Sequence, residues 1–97
     1  MESKRFDVAT IELDGADVRI KYADLLVVRK DNTALIDWEL VVVPFDAAPL
    51  ASGAHHVAVV TLEGRAIDGD AIHVRSVDGT HVLRGAGPLT GLDDDEL

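Results

Sequence analysis

Cysteine is absent from this chain, which excludes disulfide staples and thiolate metal sites from whatever fold it adopts. Aromatic residues are nearly absent as well, at 4% of 97 positions, so the 47% of hydrophobic residues must build an aliphatic core. No apolar run approaches the roughly 20 residues that a membrane-spanning helix needs. The opening stretch MESKRFD has no apolar segment behind its charges, so it is not read as a signal peptide. The expectation is a cytoplasmic protein with no membrane partner. Basic residues are scarce too: nine Lys and Arg stand against 18 Asp and Glu, for a net charge of -9. Phosphate binding requires the opposite balance, so nucleic acid is not an expected partner. Asp93, Asp94, Asp95 and Glu96 gather in a terminal run, and removing those four from -9 still leaves -5. Residues 92–97 therefore read as a solvated acidic tail, and 1–91 as a single domain near the small end of what folds unaided. A small domain without staples gains stability by associating, which makes a homo-oligomer, a dimer first of all, an expected state.

What the chain does have is alternation. Apolar and polar residues exchange places through most of its length, the period of a strand. Residues 6–22, FDVATIELDGADVRIKY, read as a hairpin. A two-residue Asp14-Gly15 turn would oppose Glu12 to Asp17, a like-charge pair. A four-residue loop over Asp14–Asp17 instead sets Glu12 against Arg19 and Thr10 against Lys21, and stacks Ile11 on Ile20 and Ala9 on Tyr22. The longer loop is the expectation. Residues 24–43 read as a second hairpin, turning at Asp31-Asn32. Its middle is apolar on both faces, with Leu25, Val27, Ile36 and Trp38 on one and Leu26, Val28 and Leu35 on the other. Such a pair lies between layers, closes a barrel or meets another subunit, so Leu25, Val27, Ile36 and Trp38 are candidate interaction residues.

Pro44 to Ala54, with two prolines and a glycine, is the clearest punctuation and reads as a linker between halves 6–43 and 55–89. The halves resemble each other: VATIELDG at 8–15 matches VAVVTLEG at 57–64, and 24–36 matches 70–83 with one insertion. Two copies of one strand-turn-strand-hairpin unit facing each other predict an all-β barrel or sandwich of about six to eight mostly antiparallel strands, with pseudo-twofold symmetry.

The last hairpin, IHVRSVDGTHVLRGAGPL from Ile72, carries the sharpest chemical question. With an Asp78-Gly79 turn in unbroken register, Ile72, Val74, Leu83 and Gly85 form a core face, and His73, Arg75 and Arg84 project opposite. Three potential cations on two strands can hold a carboxylate or phosphate. Pairing with acids on the neighbouring strand explains them better in so acidic a chain. No metal site is expected: His55 and His56 point to opposite faces, and no ligand spacing links them to His73 or His81. Gly85–Gly91 lacks the Lys-Ser/Thr of a phosphate loop and reads as a bend. Ser76 stands in no nucleophile-elbow context, and Asp37 and Glu39, which share a strand face, are explained by an outward polar surface beside an inward Trp38. No catalytic residue, metal or cofactor is assigned on these grounds.

Taken in order, an aromatic-Asp start (Phe6-Asp7), ATIELDG at 9–15, a Trp-bearing strand at Trp38, VVTLEG at 59–64 and a closing VLRGAGPL at 82–89 form a recognisable layout. It resembles the small all-β domain of unknown function found alone or at the C-terminus of some actinobacterial flavin-dependent monooxygenases. That resemblance implies a β-barrel or sandwich and an auxiliary role. The functional expectation is a non-enzymatic accessory or protein-interaction module that self-associates. The alternative is a small-molecule binder whose β-barrel has an aliphatic interior.

Overall fold

The computed structural model describes residues 2–29, 36–45 and 50–92, and every element among them is a strand. They are β1 (Glu2–Leu13), β2 (Ala16–Val18), β3 (Ile20–Arg29), β4 (Ile36–Pro44), β5 (Gly53–Thr61), β6 (Ala66–Val77) and β7 (Thr80–Thr90). Among the described residues no helix is long and apolar enough to cross a membrane. The sheet runs β2-β1-β3-β4-β7-β6-β5, and β1 also pairs with β5. The expected all-β fold is thus a barrel: six antiparallel strands close on themselves and β2 is an extra. Closure depends on sharing one strand. Glu2 to Asp7 of β1 pair with β3, whereas Val8 to Leu13 pair with β5.

Period-two alternation sorts the side chains. Along β5, His55, Val57, Val59 and Thr61 are buried, and His56, Ala58 and Val60 between them are not. The inward residues of all six barrel strands form one cluster that includes Phe6, Ile11, Leu25, Leu40, Val59 and Leu83. A barrel this narrow has room only for side chains, and aliphatic ones fill it. Leu25, Val27 and Trp38 belong to that interior, with Ile36 packed half-buried against it. The surface expected of those four is therefore core, and the outward residues of this hairpin are Leu26, Val28, Val41 and Val43, each half-buried. The expected Asp31-Asn32 turn and Leu35 lie outside the described residues.

The first hairpin departs from expectation. Its turn has two residues, Asp14 and Gly15, both at positive φ (53° and 83°), and Leu13 pairs with Ala16. This geometry matches the right-handed twist of the strands it joins. The like-charge pair Glu12–Asp17 does form. Both residues are exposed, so water screens their repulsion. Ile11 then faces Val18 rather than Ile20, and the chain breaks at Arg19 before β3 resumes against β1 at Asp24.

The last hairpin turns at Asp78-Gly79 as expected, with φ of 51° and 81°, and keeps Ser76 opposite His81 and Arg75 opposite Val82. Beyond Arg75 a bulge takes Val74 out of register, so His73 faces Leu83 and Ile72 faces Arg84. One residue of slip exchanges faces. Leu83 is buried as expected, and Ala71, opposite Gly85, is the buried residue of β6 there, while Ile72 and Val74 lie outside. The glycine-rich segment expected as a bend is instead strand as far as Thr90, with a second register shift between Gly85 and Leu89.

The two halves are arranged as the internal repeat predicts. In barrel order β1, β3 and β4 are followed by β7, β6 and β5, a three-stranded meander and its reverse. With 8–15 laid on 57–64, Thr10 is equivalent to Val59 and Ile11 to Val60. Phe6 opposite Leu25 matches His55 opposite Ala71. The ladder between β1 and β5 departs from the repeat by one residue, at the register shift between Val8 and Thr10: Thr10 is exposed where Val59 is buried, and Ile11 is buried where Val60 is exposed.

Where β4 and β7 meet, pairing covers only Glu39 to Val42 against His81 to Arg84. Trp38, one residue beyond, fills the gap. Its Nε1–H donates to the Gly87 carbonyl at 2.9 Å, and its ring lies on Gly85 and Gly69. A Cβ on Gly85 would stand 2.3 Å from Trp38 Nε1, and one on Gly69 would stand 3.1 Å from Cζ2. Gly85→Ala is expected to destabilise the protein by about 1–3 kcal/mol in urea unfolding, the usual range for overpacking. Gly87→Ala, where a Cβ would meet nothing within 4 Å, should leave the transition in place.

Candidate functional site

The polar chemistry of the barrel is concentrated on three short pieces of backbone: the Asp14-Gly15 turn, the start of β5, and the β6–β7 hairpin. Alternation places His55 inward and His56 outward, as the sequence predicts. Each ring is held at both nitrogens. His55 Nδ1 lies 2.6 Å from Asp14 Oδ2 and Nε2 lies 2.7 Å from the Ala51 carbonyl, with the side chain 8% exposed. His56 Nδ1 lies 2.9 Å from Asp70 Oδ1 and Nε2 lies 3.3 Å from Asp68 Oδ2. Asp14 completes the junction by accepting the His56 backbone N–H at Oδ1, at 2.8 Å, while its own N–H donates to the His56 carbonyl at 2.8 Å.

A neutral imidazole has one N–H and one bare nitrogen. Both nitrogens of each ring here face oxygen acceptors, an arrangement satisfied only by the imidazolium. The hydrogen bonds to the Ala51 carbonyl and the Asp14 carboxylate accordingly raise the His55 pKa above 6.5. The Asp70 carboxylate, with Asp68 behind it, raises that of His56. Asp14 moves the other way, below 3.8, through its bonds to the His55 ring and the His56 amide.

His56 also borders a groove of about 300 Å³ on the outer wall of the barrel, lined by Thr10, Glu12, Asp17, Ala58, Val60, Ala66 and Asp68 among others. The groove follows one row of the sheet. Asp17 faces Glu12 on β1, Glu12 faces Ala58 on β5, and Ala58 faces Asp68 on β6. Its floor is small because Ala58 is, and its rim is acidic. Among the described residues no group of three or more His, Asp or Glu converges to hold a metal ion.

The histidine of the predicted anion patch is drawn elsewhere. The bulge at Val74 turns His73 to the same face as Leu83, where its Nε2 meets Ser76 Oγ at 2.8 Å. Ser76 Oγ is also 2.6 Å from Nδ1 of His81, which is 7% exposed. The two rings meet edge to face at 5.7 Å. A hydroxyl has one proton, so Ser76 donates to one ring and accepts from the other. Arg75 and Arg84 remain outward and exposed, with Arg84 directly opposite Glu39. The register therefore supplies an acid from the neighbouring strand, and the three residues do not form one patch. Asp37 and Glu39 lie outward on β4, on either side of the buried Trp38.

The distances in the His73–Ser76–His81 cluster are those of a nucleophile beside a base. The cluster sits at a hairpin end, however, and none of its members lines the groove. A reaction site also needs a cleft and oxyanion donors around the nucleophile; here the hydroxyl acts as a strut between two imidazoles. The sequence signal for it was the register itself, since an Asp-Gly turn already places Ser76 opposite His81. His73 joined only through the bulge. Comparison with protein families, with curated proteins and with solved structures finds no match.

Replacing Ser76 by Ala leaves the buried Nδ1 of His81 without its partner, a loss of about 1–3 kcal/mol. Chemical denaturation should show this drop for Ser76→Ala, and Ser76→Thr, which keeps the hydroxyl, should recover most of it.

Proposed function

We propose that this chain is a non-enzymatic accessory module that self-associates, using the outer ridge of β6 as its contact surface. The observation that carries the reading is an aliphatic run on the outer face of β6. Ile72 and Val74 are each 49% exposed and Val77 is 57% exposed, with the exposed Arg75 among them. Ala54 lies opposite Ile72 on β5, and Arg84 lies opposite it on β7. Exposed apolar side chains rimmed by polar ones mark interaction sites on small proteins. The resemblance to an auxiliary all-β domain points the same way. The alternative of a ligand held inside the barrel is weakened by the aliphatic cluster that occupies the interior.

Half-exposed aliphatic side chains retain about half of the 1.5–3 kcal/mol available from full burial. Three of them therefore contribute roughly 2–4 kcal/mol to association, more than a factor of ten in Kd. A stable interface needs about 800 Å² from each partner, against a total surface of 5927 Å² here. The ridge would therefore form the centre of such a contact rather than all of it.

Native mass spectrometry of the freshly purified protein reports subunit count and bound mass together. The expected result is a dimer without added mass that Val74→Asp converts to monomer while the fold is retained. A wild-type monomer at tens of micromolar would overturn self-association. A monomer carrying a reproducible extra mass would replace it with the ligand-binding reading.

A further inference from the structure

The junction of His55, His56 and Asp14 has no role in the proposed contact surface, and it is an expensive arrangement to place where it stands. His55 occupies the position that Phe6 holds in the other half of the barrel, a core position facing a small or aliphatic partner across the ladder. A polar ring there demands partners, and it has two. One is on the β1–β2 turn and the other is on the segment just before β5, so the ring ties together backbone pieces that are distant in sequence.

We propose that His55 and His56 form a proton-operated latch that fastens the β4–β5 connection at Ala51 and the Asp14-Gly15 turn to the start of β5. As imidazolium, His55 donates to both Asp14 Oδ2 and the Ala51 carbonyl. On losing a proton it keeps one N–H and must abandon one of the two. Leu50, packed half-buried against the core beside Ala51, is then held by apolar contact alone. His56 works in parallel. Its ring bridges Asp68 and Asp70 of β6, and neutralising it leaves those two acids together with Glu12 and Asp17 across the groove. No Lys or Arg is among the residues lining that groove to replace the lost charge. From β6, His55 itself faces only Ala71.

The direction of the pH response follows. A histidine whose folded pKa is raised contributes stability that is complete below the unfolded value of about 6.5 and is lost as pH rises through the folded value. Asp14, whose pKa is depressed, contributes above about 3.8 and fails as pH falls through its folded value. The latch is therefore closed below about pH 6.5, down to the range where Asp14 takes up a proton, and opens as pH rises through the folded values of the two histidines. Between about 6.5 and the folded pKa, the opening equilibrium should rise by up to about tenfold per pH unit for each histidine released, then level off.

The test is an NMR titration of the four histidine rings combined with amide exchange of the His56 N–H, which donates to Asp14 and reports the junction directly. Expected are ring pKa values above 6.5 for His55 and His56, and His56 amide protection that falls across the same pH range after correction for intrinsic exchange. His55→Gln should weaken that pH dependence to the share His56 carries, and replacing both histidines by Gln should abolish it. Should His55→Gln not fold, Asp14→Asn retains the ring and should move the His55 pKa back toward 6.5. Ring pKa values at or below 6.5, or protection that does not change with pH, would overturn the latch. Because these are read within one chain, they are independent of whether the protein self-associates.

Discussion

The fold depends on β1 serving two neighbours. A strand of twelve residues is long for a domain of this size, and its two halves are committed to different partners, β3 and then β5. Without that division the sheet would end in two open edges, each a row of unpaired N–H and C=O groups. Long-range closure of this kind also sets what the interior is. Six strands closing on one another leave space for side chains and little else, so the scarcity of aromatics and the abundance of Val, Ile, Leu and Ala become a packing solution rather than a compositional accident.

Trp38 is the exception that fits the rule. It lies where the pairing of β4 with β7 ends. A large flat ring fills the opening there, and its one polar atom finds the Gly87 carbonyl. Burying an indole with its N–H satisfied retains the apolar gain without the desolvation penalty. The glycines at 69 and 85 are part of the same solution, because any side chain at either would contest the volume the ring already has.

Much of this was legible in the sequence. Alternation predicts strands, the Asp-Gly turn at 78–79 sets the register of its hairpin tip, and the match of 8–15 to 57–64 anticipates that β1 and β5 lie side by side. What escaped prediction was register beyond local reach. The bulge at Val74 has no residue signature, since neither glycine nor proline marks it. Its effect is large because the side-chain period is two: His73 leaves the arginines, Ala71 enters the core, and two aliphatics come to the surface. The first turn failed differently. The like-charge pair Glu12–Asp17 costs little because both carboxylates stand in water, and a turn geometry that suits the strand twist prevails. The contacts of His55 and His56 could not be read from spacing at all, because Asp14, Ala51, Asp68 and Asp70 come from three separate stretches.

Symmetry gives that junction its meaning. In the first half the equivalent positions are Phe6, which needs no partner, and Asp7, which faces Asp24 in a like-charge pair. In the second half the same two ladder positions are His55 and His56, and the residue facing His56 is Asp70. One half thus carries an aromatic in the core and two uncompensated acids outside. The other carries an imidazole in the core and a second imidazole between two acids. A purely structural role would be served by Phe and a neutral residue, as Phe6 demonstrates in the same barrel. The proposed latch sets titratable rings at both sites in one half, and the inner ring is tied to Ala51 just before β5.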